Sequence, residues 1–168
     1  MLDPNVKRVN RTLMIYRVVQ ALLIALLAYM AFNFQRLFTL RGRPDQFISS
    51  IVAAIMVQLI LLYPVYRLAW RDAGIEIEGS VPGLSTEQLA ALRKKRLLGD
   101  LWKFCAVVFF LTFVALAPDQ SKAKGAPMVL SSILFSFLFA CLTYFQSFNF
   151  SVRKRMKQGI CGITKASR

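Results

Sequence analysis

The sequence predicts an all-α polytopic membrane protein of four transmembrane helices, paired as two hairpins with both termini in the cytoplasm. Three observations predict it. Of 168 residues, 57% are hydrophobic and the mean hydropathy is +0.51, too apolar for an ordinary soluble or disordered chain. The apolar residues gather in four continuous runs, each close to the about 20 residues that cross a bilayer. And 22 Lys and Arg against 8 Asp and Glu leave a net charge of +14, carried almost wholly between the runs and at their ends.

The first run, residues 12–34 with the core VVQALLIALLAYMAF, exceeds the h-region of a signal peptide. No small-x-small cleavage site follows it, so a retained helix is expected. The second, residues 47–66, reads FISSIVAAIMVQLILLYPVY. The third, residues 101–117, is short; Leu97 and Leu98 extend it and Pro118 ends it. The fourth covers residues 128–150. None alternates as a barrel strand does, and in lipid only helices and closed barrels satisfy their backbone. Tyr16, Phe38, Tyr63, Tyr66, Trp70, Trp102, Phe148 and Phe150 fall near the run ends, the pattern of an interfacial aromatic belt.

Charge sets the orientation. The N-terminal stretch, the middle loop and the tail hold 17 of the 22 basic residues, and the first and third loops hold 5. The positive-inside rule therefore places both termini and the middle loop in the cytoplasm, as a multi-pass protein of the inner membrane. Six of the eight acids lie on the same side, leaving +11 inside and +3 outside. The outer loops are expected to be turns of about a dozen residues.

The cytoplasmic segment 71–100 divides in two. Ile75 and Ile77 alternate with Glu76 and Glu78, the pattern of a brief extended piece, and Gly79, Pro82 and Gly83 break it. A short amphipathic, basic helix is then predicted over residues 86–98, with Ser85 as N-cap, Gln88 closing a capping box, and Leu84 and Leu89 as a hydrophobic staple. It carries Arg93, Lys94, Lys95 and Arg96, and the tail carries Arg153, Lys154, Arg155 and Lys157. Two readings stand for these clusters: contact with anionic lipid headgroups or an acidic partner, or a topology anchor with a solvated face. Nucleic acid is not an expected partner, because no aromatic stacking platform interleaves the basic residues and they lie hard against the membrane.

The same residues narrow the chemistry. The chain has no histidine, hence neither the commonest general base nor the commonest metal ligand. Cys105, Cys141 and Cys161 share no metal-site spacing, and no cofactor motif occurs, so neither metal nor cofactor is expected. Ionisable groups are nearly absent from the span centres. Asp100 and Lys103, three apart at a cytoplasmic helix end, are placed to pair. Gln58 is the most polar residue at mid-membrane, suited to an interhelical hydrogen bond.

A shift of 82 residues lays Ser49-Ser50-Ile51 on Ser131-Ser132-Ile133 and Arg71 on Arg153. It also aligns two stripes of small and polar residues stepping by four: Ser50, Ala54 and Gln58 against Ser132, Ser136 and Ala140. Thr143 and Ser147 continue the second stripe. Such faces let helices approach closely and should meet protein rather than lipid. An internal duplication and a coincidence of two Ser-bearing helices both account for the match.

Residues from YPVYRLAWR into LGDLWKFCAVVFFLTFVALA resemble the small four-helix membrane protein encoded with bacterial ATP synthases, often called subunit I. Pro64 stands where that family has a Pro near the end of helix two. Gly99, Asp100 and Lys103 match its Gly-acid-x-x-Lys motif, with Asp where Glu is usual. Val65 replaces the Asn that commonly follows the Pro, the second helix lacks the family's glycines, and the tail is far more basic. The resemblance covers about a third of the chain, residues 63–71 and 98–117 above all. It implies a rotor-assembly or cation-supply accessory role, with Asp100 and Lys103 as its residues.

The expected function is that of a non-enzymatic accessory or assembly subunit in a larger inner-membrane complex. Its partners would be membrane lipids and either other membrane subunits or further copies of itself. The rival is a small oligomeric transporter or pore, against which stands the lack of a polar lining on any one face beyond Gln58 and the serines.

Overall fold

The computed structural model describes residues 4–80, 85–115 and 126–166, with backbone alone at 4–8, 157–166 and several positions of the third helix. These residues form α1 (Pro4–Leu40), α2 (Pro44–Glu78), α3 (Thr86–Ala115) and α4 (Ala126–Ala166), with no strand among them. Three stretches are long and apolar enough to cross a membrane: Val9–Leu40, Pro44–Glu78 and Ala126–Met156. The expected span at residues 101–117 falls on α3, apart from its last two residues, which lie outside the described ones.

The helices are longer than the runs that announced them. At 1.5 Å per residue, the 35 residues of α2 reach about 52 Å, against a hydrocarbon core of about 30 Å. The extended piece expected at Ile75–Ile77 is helix, because α2 continues to Glu78 and ends on Gly79, whose N–H bonds Ile75 O at 3.0 Å. The alternation misled because the decisive residues are Ala69, Ala73 and Glu76, which recur at helical spacing and are all buried. Pro64 sits inside α2 and leaves the Ile60 carbonyl without its helical donor, a loss that membrane helices tolerate.

The loop between α1 and α2, expected to be an outer turn of about a dozen residues, is Arg41–Gly42–Arg43 alone. Gly42 ends α1 with φ +68°. Arg43 N–H bonds Phe38 O and Gly42 N–H bonds Thr39 O, both at 3.0 Å, the two bonds of a Schellman motif. Pro44 then opens α2 at a position where its missing N–H costs nothing. The capping box at α3 is complete: Ser85 N–H donates to Gln88 Oε1 at 3.2 Å, and Gln88 N–H to Ser85 Oγ at 3.3 Å. The proposed staple residue Leu84 lies outside the described residues.

α4 is the centre of the bundle. It runs parallel to α2, and α1 runs antiparallel across both. At one end Phe34 and Phe38 of α1 pack with Ala54 of α2 and Leu130, Leu134 and Phe135 of α4. At the other, Val9 and Leu13 pack with Ala69 and Ala73, and with Phe148 and Val152. The fully or nearly buried small residues of the two parallel helices fall in one register: Ser50 and Ser131, Ala54 and Ser136, Ala69 and Ser151, each pair 81 or 82 apart in sequence. In lipid, apolar burial gives helices no net drive to associate, so close approach at small residues and interhelical hydrogen bonds carry the packing. Gln58 Nε2 donates to Thr143 Oγ1 at 2.6 Å, and Gln20 Nε2 to Gln146 Oε1 at 2.6 Å.

The aromatic residues divide accordingly. Phe38 and Phe148 are core rather than belt, at 1% and 3% exposure. Tyr63, Tyr66 and Phe150 are exposed, as a belt requires. The side chain of Trp102 lies outside the described ones.

Candidate functional site

The ends of α2 and α4 that lie beside the start of α1 build a polar cluster, and α3 is attached there. Asp72 of α2, 11% exposed in its side chain, is the hub. It accepts from Lys103 Nζ of α3 at 2.9 Å, from Tyr144 Oη of α4 at 2.8 Å, and from its neighbour Arg71 at 3.3 Å. One turn on, Glu76, 7% exposed, pairs with Arg96 of α3 at 3.2 Å and accepts from Thr12 Oγ1 of α1 at 3.4 Å. All four helices therefore meet on two carboxylates. Lys103 also reaches Asp100 at 3.3 Å and lies 5.0 Å from the centre of the Tyr144 ring.

α3 comes close enough for this because of Gly99. A β-carbon there would stand 3.2 Å from an Arg71 guanidinium nitrogen and 3.4 Å from Asp72 Oδ1. Arg96, Gly99 and Lys103 step by three and four, so they share the helix face turned to α2. The three charges on either side balance: Asp72, Glu76 and Asp100 against Arg71, Arg96 and Lys103. Between them lies a small polar cavity of about 30 Å³, walled also by Tyr16 and Phe148.

Above this latch α3 stands away from the bundle. A cavity of about 470 Å³ opens between the helices, lined by residues of all four, among them Val19, Leu68, Val107, Phe137 and Ala140. Its walls are apolar save for Asp100, Lys103 and the two tyrosines at the latch end. Cys141 stands in its wall and Cys105 is exposed on α3.

The expected site residues distribute as follows. Asp100 and Lys103 do pair, but the stronger partner of Lys103 is Asp72, which the sequence reading left in a loop. Ser50, Ala54 and Ser136 are buried within the chain, Ala54 against Leu130, Leu134 and Phe135 of α4. Ser132 and Ser136 donate to backbone carbonyls one turn back, Met128 O and Ser132 O, at 2.8 and 2.7 Å. Ala140 and Thr143 are half-buried, and so is Ser147. Of the basic clusters, Arg93, Lys94, Lys95, Arg153 and Lys154 are exposed. Arg96 is committed to Glu76. Arg155 lies over the Trp70 ring at 4.5 Å and donates to Trp70 O at 3.3 Å, with its guanidinium resting above Gly74, where a β-carbon would displace it. The side chain of Lys157 lies outside the described ones.

Sequence reasoning missed Asp72, Glu76 and Tyr144. The available signal was the four-residue step from Asp72 to Glu76 continuing the helical phase of Leu68 past the apolar run. No family model, curated protein or solved structure matches the chain.

Proposed function

We propose that this is a non-enzymatic integral membrane protein of the inner membrane, crossing it four times with both termini cytoplasmic, and serving as an accessory or assembly subunit of a larger membrane complex. The orientation rests on the distribution of Lys and Arg, 17 of 22 on the side of the chain ends and the α2–α3 connection. The latch then sits at the cytoplasmic face.

One observation carries the accessory reading. Leu97, Leu101, Phe104, Val108 and Leu111 of α3 step by four, three, four and three, and all are exposed, at 43–69%. That is a heptad seam, the spacing of left-handed packing against a second helix. The face of α3 turned to α2 carries a separate, polar set at Arg96, Gly99 and Lys103. α3 thus has one face for its own bundle and one for an apolar transmembrane helix of another subunit.

Affinity purification from native membranes in mild detergent tests this. A defined membrane subunit should copurify at fixed stoichiometry, and Leu101→Ala with Phe104→Ala should release it. A chain that purifies alone refutes the reading, and ion flux through liposomes holding only this protein would establish the transporter instead. A second reading has its own support: of Gly99, Asp100 and Lys103, which carry the resemblance to the ATP-synthase subunit I family, Gly99 and Lys103 abut Asp72 and Asp100 pairs with Lys103. ATP-synthase subunits as the copurifying partners would establish it.

A further inference from the structure

We propose that the cavity between the latch and α3 is a phospholipid site: it takes one acyl chain of a phosphoethanolamine-type lipid, with the headgroup held at Asp100 and Lys103. The proposal rests on the membrane location and is independent of whether α3 meets another subunit.

The cavity has the size and lining of a ligand site, about 470 Å³ with apolar walls and a few polar groups gathered at one end. From Tyr144 at the polar end to Phe137 is seven residues of α4, about 10 Å of depth along the helix. α3 does not close the gap, because Gly99 and Lys103 fix it to α2 and Val107 faces the void from the far side. In a bilayer such a space, open at its side, is filled by a chain rather than by water.

Charge selects the headgroup. Asp100 gives one oxygen to Lys103, and its side chain is 61% exposed. Lys103 has three donors, of which Asp72 and Asp100 take two, and a third of its side chain is exposed. With Arg71 on Asp72, the local charge of these four groups is zero. An anionic lipid finds no net attraction there and meets the exposed carboxylate. A zwitterion with a primary ammonium satisfies both open positions: the ammonium donates to Asp100 and the phosphate accepts from Lys103.

The test is lipid retention. The full chain is purified from vesicles of equal phosphatidylethanolamine, phosphatidylglycerol and phosphatidylcholine, washed in detergent, and its bound lipid measured by native mass spectrometry. About one phosphatidylethanolamine per chain is expected, with at least tenfold preference over each of the others. Asp100→Asn leaves the Lys103–Asp72 pair in place and should abolish that preference. Ala140→Phe fills the cavity and should remove the bound lipid while helical content and thermal stability hold. If Ala140→Phe fails to fold, Val107→Phe fills the same space from α3. Absence of retained lipid, equal retention of all three, or undiminished retention in the filled variant overturns the proposal.

Discussion

The ion pair between Lys103 and Asp72 should be the principal attachment of α3, and its strength can be worked from the geometry. At 2.9 Å and an effective dielectric near 20, the gross attraction is about 6 kcal/mol. Desolvation returns most of that, since Asp72 is almost wholly buried. Lys103 is a third exposed and keeps Asp100 as a second partner, so the pair falls between surface bridges of about 0–1 kcal/mol and buried ones whose disruption costs about 3–5 kcal/mol. A coupling of about 1–2 kcal/mol follows. Lys103→Met keeps the apolar stem, and Asp72→Asn keeps an acceptor for the Tyr144 hydroxyl, so the two make a clean double-mutant cycle. Unfolding in sodium dodecyl sulfate mixed micelles, followed by the fluorescence of Trp70 on α2 and Trp102 on α3, supplies the four free energies. Additivity within about 0.3 kcal/mol would mean that α3 does not depend on this pair, and the latch would be refuted.

Other outcomes follow from the same contacts. Gly99→Leu should loosen α3 at a cost of about 1–3 kcal/mol, while Gly99→Ala, needing only a small shift of the Arg71 side chain, should cost far less; disulfide trapping between cysteines placed on α2 and α3 reads the separation. Ser136→Leu should destabilise the fold itself by about 1–3 kcal/mol in the same unfolding assay, because its face packs inside the chain; unchanged stability would place it outward. Gly42→Ala should cost about 1–2 kcal/mol, the left-handed residue of the Schellman turn being strained by a β-carbon, and a neutral thermal shift would count against that turn. Arg93, Lys94 and Lys95 changed together to Gln should weaken attachment to anionic vesicles by about 1 kcal/mol per charge without loosening α3, whereas Arg96→Gln should loosen α3 by stranding Glu76.

The signals that survived from sequence to structure were local or periodic. Ser85 and Gln88 predicted their reciprocal bonds because a capping box is complete within four residues. The Ser50–Ala54 and Ser132–Ser136 stripes predicted close packing because the four-residue step is a property of one helix. That the two stripes meet at Gln58 and Thr143 is a fact of tertiary structure, which the spacing within either helix does not carry. Asp100 and Lys103 were legible as a pair for the same reason of spacing. Asp72, Glu76 and Tyr144 were not, since Asp72 and Tyr144 are 72 residues apart and each looks ordinary alone. Hydropathy also ended α2 too early: once the apolar run stopped at Tyr66, Asp and Glu read as solvent-facing. Four helices converging on two carboxylates is what keeps them helical and buried there.

The parallel pairing of α2 with α4 also governs how the chain is made. The α4 residues packed with Ala54 and Ala69, namely Leu130, Leu134, Phe135, Phe148 and Val152, are synthesised about 76–83 positions later. At ribosomal rates this is a delay of roughly 4–16 s. Over that stretch of synthesis the face of α2 that packs on α4 has no α4 residues to meet. α3 must pass by and leave that face free for the helix that follows. The latch residues explain how: Arg96 and Lys103 engage α2 at Asp72 and Glu76, near its end, and leave the rest of its length vacant. The α2 face that packs on α4 is thus completed only by the last helix in chain order.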